Sequence, residues 1–357
     1  MKFFALRFAA AAVAGSFVGC GAPEADALSQ PLGETASDRP SYIERLAFYA
    51  GNRSRMDPSA TGWASYPAVP PLLWSDELAQ SSRAHSQDMH DHACFQHTSC
   101  DGTDPFVRIK TFWTGSYSSL SENIAAGVDD GQQAIQNWID EIGAAPGTTG
   151  HRDNLFDKSF RSTHVGLGYI AGGTQFQGYW TQDFAGVSPP PPIPRVAAGS
   201  HWPESTFANQ SITFGAIYYD ASGVKPDRVE MVVDDLATPL ALAHGSASAG
   251  AYEGAAAITA GCHRYYFRAV VNGKGSIYPD GGTLGVSTSD VAATCAPYLP
   301  GNVSVDPPAP GSGAHSSCSV GGRSDPRPLA ALLLVAALLL VRRRAAAIHR
   351  REKSFFS

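Results

Sequence analysis

The chain has 357 residues, enough for two ordinary domains with tails. Only 16% of the residues are charged and the formal net charge is −6, so there is no basic footprint of the kind that binds nucleic acid. Glycine and proline are abundant, at 36 and 25, and sit largely in segments that read as linkers.

Residues 1–20 read as an export signal. Lys2 and Arg7 give a positive start, and the apolar run Phe8 to Val18 is too short to span a bilayer. Two cleavage readings stand side by side. Phe17-Val18-Gly19-Cys20 resembles a lipoprotein box, in which Cys20 is acylated and becomes the new N-terminus; ordinary cleavage near Ala25-Asp26-Ala27 is the other. Residues 21–40 are a polar spacer.

A helix is predicted from Tyr42 to about Arg55, with Ile43, Leu46, Ala47 and Ala50 on one face. Pro67, Pro70 and Pro71 then break the chain. A second helix starts after Ser75, a suitable cap, with Asp76 and Glu77 at its positive end, and runs to about His92. A third begins after Asp129-Asp130 and is expected to bury Ile135, Trp138, Ile139 and Ile142. Strands follow, with Val165, Leu167 and Tyr169 alternating, then Phe176 to Phe184. Helices followed by late strands predict an α+β domain over 41–187, with helices packed on a sheet.

Residues 188–195 are a stiff proline-rich linker. From 196 to 298 the pattern changes to period two. Ile212, Phe214, Ala216 and Tyr218 alternate, as do Val229, Met231 and Val233, and His263, Tyr265, Phe267, Ala269 and Val271. Turn signals stand at Asp220 to Gly223, Asn272-Gly273 and Asp280-Gly281-Gly282. This predicts an all-β, immunoglobulin-like sandwich without a catalytic motif.

Residues 299–316 are a further linker. In 317–357, Ser317-Cys318-Ser319-Val320-Gly321-Gly322 precedes the apolar run Leu329 to Val341, which Arg342-Arg343-Arg344 closes. The run is short for a transmembrane helix. The arginines place everything upstream on the far side of a membrane. The segment resembles a MYXO-CTERM sorting signal; a tail anchor is the plainer reading, with the same topology. Export and sorting machinery are the implied partners, and the membrane is met through the termini.

With Cys20 and Cys318 assigned to the terminal signals, four cysteines remain. Three pairings are open in principle; the domain division selects Cys94–Cys100 and Cys262–Cys295 in an oxidising compartment.

Between Phe95 and Phe184 stand Phe95-Gln96-His97, Ser121-Glu122-Asn123-Ile124-Ala125, Trp138-Ile139-Asp140-Glu141, Gly150-His151-Arg152-Asp153-Asn154-Leu155, Gly166-Leu167-Gly168-Tyr169 and Tyr179-Trp180-Thr181-Gln182. In this order they resemble the CAP superfamily (cysteine-rich secretory, antigen 5 and pathogenesis-related proteins) in its bacterial, SCP-like form. The resemblance implies an α-β-α sandwich and a cleft lined by His97, Glu122, Glu141 and His151. It also implies an extracellular role and, as in several branches, binding of a sterol or lipid, with no settled enzymatic activity. Catalytic residues are therefore left unassigned. Two imidazoles and two carboxylates suit zinc or another divalent cation, with His97 and His151 as the metal ligands, or a proton relay.

Plainer readings stand beside these: His97 bonded within its disulfide loop, Glu122 capping backbone N–H groups, His151 holding a turn. A metal-dependent hydrolase or peptidase with Glu122 or Glu141 as base is the alternative function, and adhesion through the β-sandwich a second. The cluster His85, His90, His92 and Cys94 carries no standard ligand spacing and is read as a half-exposed helix. Trp113, Tyr117 and Trp180 are read as core or cleft wall.

Overall fold

The computed structural model describes residues 39–157, 161–292, 295–303 and 305. The expected export signal with Cys20, the spacer up to residue 38 and the 317–357 segment with Cys318 lie outside the described residues. Among the described residues no helix is long and apolar enough to cross a membrane.

Ser41 opens α1 (Tyr42–Met56) with a capping box: its Oγ accepts from the Glu44 N–H, and Glu44 Oε2 accepts from the Ser41 N–H at 2.9 Å. β1 (Leu73–Trp74) leads into α2 (Asp76–His92), capped by Ser75 as expected. Periodicity does not mark the next two elements, α3 (Pro105–Phe112) and β2 (Ser119–Ala126). α3 is barely two turns long, and β2 is buried on both faces, so it has no polar alternation to read. α4 (Gly131–Ile139), α5 (Gly150–Leu155), β3 (His164–Ala171) and β4 (Gly178–Gly186) complete this part. Ile135, Trp138 and Ile139 are buried as predicted, but Ile142 is 64% exposed. The helix stops at Ile139, and Glu141 turns into the left-handed region at φ +55°, which carries Ile142 off the buried face.

The strands form a four-stranded sheet in the order β1-β3-β4-β2, with β1 parallel to β3 and the other pairs antiparallel. β4 is buried along its whole length, and β2 is an edge. One face carries α2 at very close range. Gly166 and Gly168 make this possible, because a Cβ at either would collide with the backbone of Ala79 or Arg83. Ser82 and Ser86 donate from Oγ to the Gly166 and Gly168 carbonyls at 3.1 and 3.0 Å. The other face buries Val165, Leu167, Trp180 and Phe184 against Phe48, Ile135, Trp138 and Leu155. The result is the α-β-α sandwich expected for this part. Trp180 is fully buried, whereas Tyr117 is 47% exposed and is neither core nor part of the cleft described below. His85 and Met89 are wholly buried on the inner face of α2, while Gln80, Ala84, Gln87, Asp91 and His92 are exposed, so the helix is half-exposed along its length as read, and His85 belongs to its buried face.

The second part is all β: β5 (Val196–Trp202), β6 (Ser205–Thr206), β7 (Ser211–Tyr219), β8 (Arg228–Val233), β9 (Leu236–Ser246), β10 (Ala249–Ala257), β11 (Cys262–Val271), β12 (Lys274–Tyr278), β13 (Gly282–Thr288) and β14 (Tyr298–Pro300). Their order is β14-β13-β11-β8-β9-β10-β7-β5, with β12 beside β11 and β6 beside β13. β9 is the joint: Leu236 to Leu240 pair with β8, and Ala241 to Ser246 pair with β10. The strands thus make one large curled sheet closing on Phe214, Tyr218, Met231, Tyr265, Phe267 and Val286. The alternating residues Ile212, Phe214, Ala216 and Tyr218 all point into it. Asn272-Gly273 forms its turn with positive φ at both residues, as does the unsignalled pair Asp234-Asp235.

α1 is shared between the two parts. Tyr49 stacks on Trp202 at 5.5 Å and donates its hydroxyl to Glu253 Oε1 at 2.7 Å. Disulfides join Cys94 to Cys100 and Cys262 to Cys295, with Cα separations of 6.0 and 5.5 Å.

Candidate functional site

A cleft of about 630 Å³ opens at the β2 edge of the four-stranded sheet. His97, Glu122, Glu141 and His151 all line it. They arrive as two His–Glu pairs. His97, from the loop after α2, pairs with Glu122 on β2; Glu141, just past α4, pairs with His151 in the first turn of α5.

In the first pair His97 Nδ1 lies 2.8 Å from Glu122 Oε1. Glu122 is buried, and its second oxygen accepts from Arg108 Nη2 on α3. The other Arg108 nitrogen, Nη1, donates to Ser99 Oγ at 2.7 Å and to the His97 carbonyl at 3.2 Å. Arg108 therefore holds the carboxylate and the histidine loop together. Burial alone would raise the Glu122 pKa, but the His97 hydrogen bond and then the Arg108 charge outweigh it and hold the carboxyl below its usual range. Behind Glu122 lies His85, whose Nε2 meets the Gln96 carbonyl at 3.0 Å and whose Nδ1 has no hydrogen-bond partner. Burial keeps the His85 pKa low.

In the second pair Glu141 Oε1 accepts from the Arg152 N–H at 2.9 Å, and Oε2 lies 3.0 Å from His151 Nδ1. That contact is close enough for an ion pair but poorly aligned for a hydrogen bond, and both atoms are otherwise unpartnered and buried. The positive φ of Glu141 is costly for a residue with a side chain, of order 1–3 kcal/mol. Here it directs the carboxylate at the neighbouring helix start. Burial pushes the His151 pKa down; Glu141 opposes this, and the repulsion of His97 adds to it.

A net of side-chain amides ties the two pairs together. Asn123 Nδ2 donates to the His151 carbonyl at 3.1 Å and to Gln182 Oε1 at 3.1 Å. Asn154 Nδ2 donates to the Glu122 carbonyl at 3.2 Å and to Asn123 Oδ1 at 2.8 Å. The rim is apolar, with Phe95, Ile124, Ile142 and Phe176, and Phe95 packs edge-on to Phe176 at 5.5 Å.

Both imidazoles have Nδ1 turned to a carboxylate, which leaves Nε2 as the nitrogen for a ligand. A carboxylate behind each imidazole is the arrangement that orients metal-binding histidines. No three ligand atoms of these four residues come within 4.8 Å of one another, whereas Asp88, His92 and Cys100 do. As they stand, the four residues do not form a closed four-residue metal shell.

Arg108, Ile142 and Phe176 have no signal in the spacing of the motifs, whereas Phe95 and Ile124 stand inside them. Asn123, Asn154 and Gln182 stand inside the quoted motifs, but only the fold shows that they bind one another.

Residues 48–184 match the cysteine-rich secretory protein family, CAP. YkwD of Bacillus subtilis is 36% identical over 116 residues, which is 32% of this chain and 40% of that protein; the chain thus spans about two fifths of that relative. An extracellular protein with an SCP domain from Bacillus anthracis is 27% identical, over 38% of this chain and 41% of that one, with a TM-score of 0.28. An outer surface protein of Borrelia burgdorferi is 15% identical, over 41% of this chain and 96% of that one, with a TM-score of 0.31. The chain carries a CAP, SCP-like, domain.

Proposed function

We propose that this is an exported, surface-anchored binding protein whose CAP cleft takes an amphipathic extracellular ligand, lipid-like in having an apolar body and a polar head. The observation that carries this reading is the two-sided cleft: the charge-paired His97, Glu122, Glu141 and His151, with Glu122 buried and His97 half-exposed, stand beside the apolar Phe95, Ile124, Ile142 and Phe176. A divalent cation such as zinc, held by His97 and His151, would supply a positive centre for the ligand's head group; Glu122 and Glu141 would orient the imidazoles. Export is supported by the two disulfides and by the extracellular and outer-surface relatives. The curled sheet, read as immunoglobulin-like, would act as a rigid partner of the CAP domain through α1.

The carboxylates argue for binding over hydrolysis. Glu122 has both oxygens engaged, by His97 and Arg108, so it is not a free general base; Glu141 has one oxygen engaged by the Arg152 N–H and the other beside His151. The test is mass spectrometry of small molecules co-purifying with the exported chain, with elemental analysis of the same sample. An amphipathic ligand lost in a Phe95→Asp, Phe176→Asp variant is expected. Metal-dependent turnover of a peptide or ester panel, lost in Glu122→Gln, would replace this reading with the hydrolase. Intact-mass measurement of the mature C-terminus separates the two terminal readings: a sorting signal removes Arg342 to Ser357, and a tail anchor keeps them.

A further inference from the structure

The last turn of α2 gathers metal-ligating atoms outside the cleft. A carboxylate oxygen of Asp88, a ring nitrogen of His92 and Sγ of Cys100 all lie within 4.8 Å of one another. Asp88 and His92 are one helical turn apart and share a face, with Oδ1 and Nδ1 2.9 Å apart. Asp88 Oδ2 also accepts from the Cys100 N–H at 2.8 Å, which pins the end of the 94–100 loop to the helix. The Cys94 sulfur is bonded to that of Cys100 and so completes a set of four donors.

In the oxidised chain the sulfurs are not ligands, because a metal needs the thiolate. We propose that on reduction of Cys94–Cys100 the four residues Asp88, His92, Cys94 and Cys100 form a tetrahedral Zn²⁺ site, so that the metal closes the loop the disulfide closed. A phosphine or dithiol reductant supplies two electrons, the S–S bond breaks, and two protons make two thiols. Metal binding then forms two Zn–S bonds, one Zn–N bond and one Zn–O bond. It releases the two thiol protons, and neutral His92 moves its proton from Nδ1, which faces the Asp88 carbonyl at 3.1 Å, to Nε2. Zn–S bonds of about 2.3 Å in a tetrahedron put the two sulfurs about 3.8 Å apart. The Cys94 and Cys100 backbones, with Cα atoms 6.0 Å apart, lie within reach of that geometry.

The site bears on the cleft without being part of it. His97 lies between the two cysteines in the chain, and its carbonyl and Ser99 are held by Arg108. A loop clasped by either a disulfide or a metal presents His97 to Glu122 in oxidising and reducing surroundings alike.

The experiment uses the full chain, reduced with a phosphine, stripped with a chelator and titrated with Co²⁺ and then Zn²⁺. One equivalent of Co²⁺ should bind with a thiolate charge-transfer band in the near ultraviolet, and Zn²⁺ should bleach it. Asp88→Asn, which keeps the side chain's shape, and His92→Ala should each weaken Zn²⁺ binding at least about tenfold. Cys94→Ser with Cys100→Ser should remove the band, and the unreduced chain should show none. His97→Ala with His151→Ala should leave the band intact. The proposal is overturned if the reduced chain binds no Co²⁺, if the band survives the double serine variant, or if Asp88→Asn and His92→Ala bind Zn²⁺ as the wild type does. Loss of the band in the His97, His151 variant would also overturn it, by assigning the metal to the cleft.

Discussion

Glu122 and Asp183 are register partners on β2 and β4, and their carboxyls are driven in opposite directions. Glu122 is held ionised by His97 and Arg108. Asp183 is wholly buried, its oxygens have no well-formed hydrogen bond, and burial together with the Glu122 charge pushes its pKa well above the carboxylate range. The folded state therefore keeps a proton on Asp183 that the unfolded chain loses. Its contribution to stability is full below the unfolded pKa of about 3.9 and is lost as pH rises toward the folded value. Asp183→Asn removes this dependence. Urea midpoints of the variant should rise relative to wild type between pH 4 and pH 8; a relative fall would show Asp183 to be ionised in the fold.

Arg108 neutralises a carboxylate that is almost out of water: the two side chains are 8% and 2% exposed. Arg108→Ala leaves the Glu122 charge buried with only the His97 imidazole beside it. The expected loss is about 3–5 kcal/mol, read from chemical denaturation. Arg108→Ala with Glu122→Gln should recover part of it. If the double variant is no better than the single one, the loss comes from the Ser99 and His97 carbonyl contacts instead.

His151 should stay neutral in mildly acidic solution. Its folded pKa lies below the ordinary 6.5, chiefly through burial, so protonation opposes folding as pH falls through that range. An NMR titration of the His151 ring should give a midpoint below 6.5. A midpoint above it would mean that the Glu141 ion pair dominates burial.

His97→Ala with His151→Ala should abolish any divalent-cation binding in the cleft and leave the chain folded. The two rings line the cleft and anchor no hydrophobic cluster. The contrast is Trp138→Ala. This fully buried ring also donates Nε1–H to the Ile124 carbonyl at 2.9 Å, and its loss should cost about 3–5 kcal/mol. Calorimetry of both variants checks the pair of expectations; a misfolded histidine variant would show that the rings are structural pins.

Local chemistry is what the chain alone determined. Ser41, Ser75 and Asp130 cap the helices they precede because a short side chain reaches the free N–H groups of the next turn. The alternation of Ile212 to Tyr218 marks a strand because its larger apolar residues share the face that closes on the β core, and the Asn272-Gly273 turn needs only residues tolerant of positive φ. The motif order placed His97, Glu122, Glu141 and His151 in one cleft through resemblance.

Tertiary structure decided how they meet. β2 is an edge strand, so the two His–Glu pairs gather at its border, and Arg108 joins from a helix too short to show a period. Ile142 escaped the helical pattern because a single left-handed residue, Glu141, redirects the chain. The opposite charge states of Glu122 and Asp183 depend on which carboxyl has a cation beside it. Such long-range pairings carry no spacing of their own, because the partners are brought together only when the sheet and its two helical layers close.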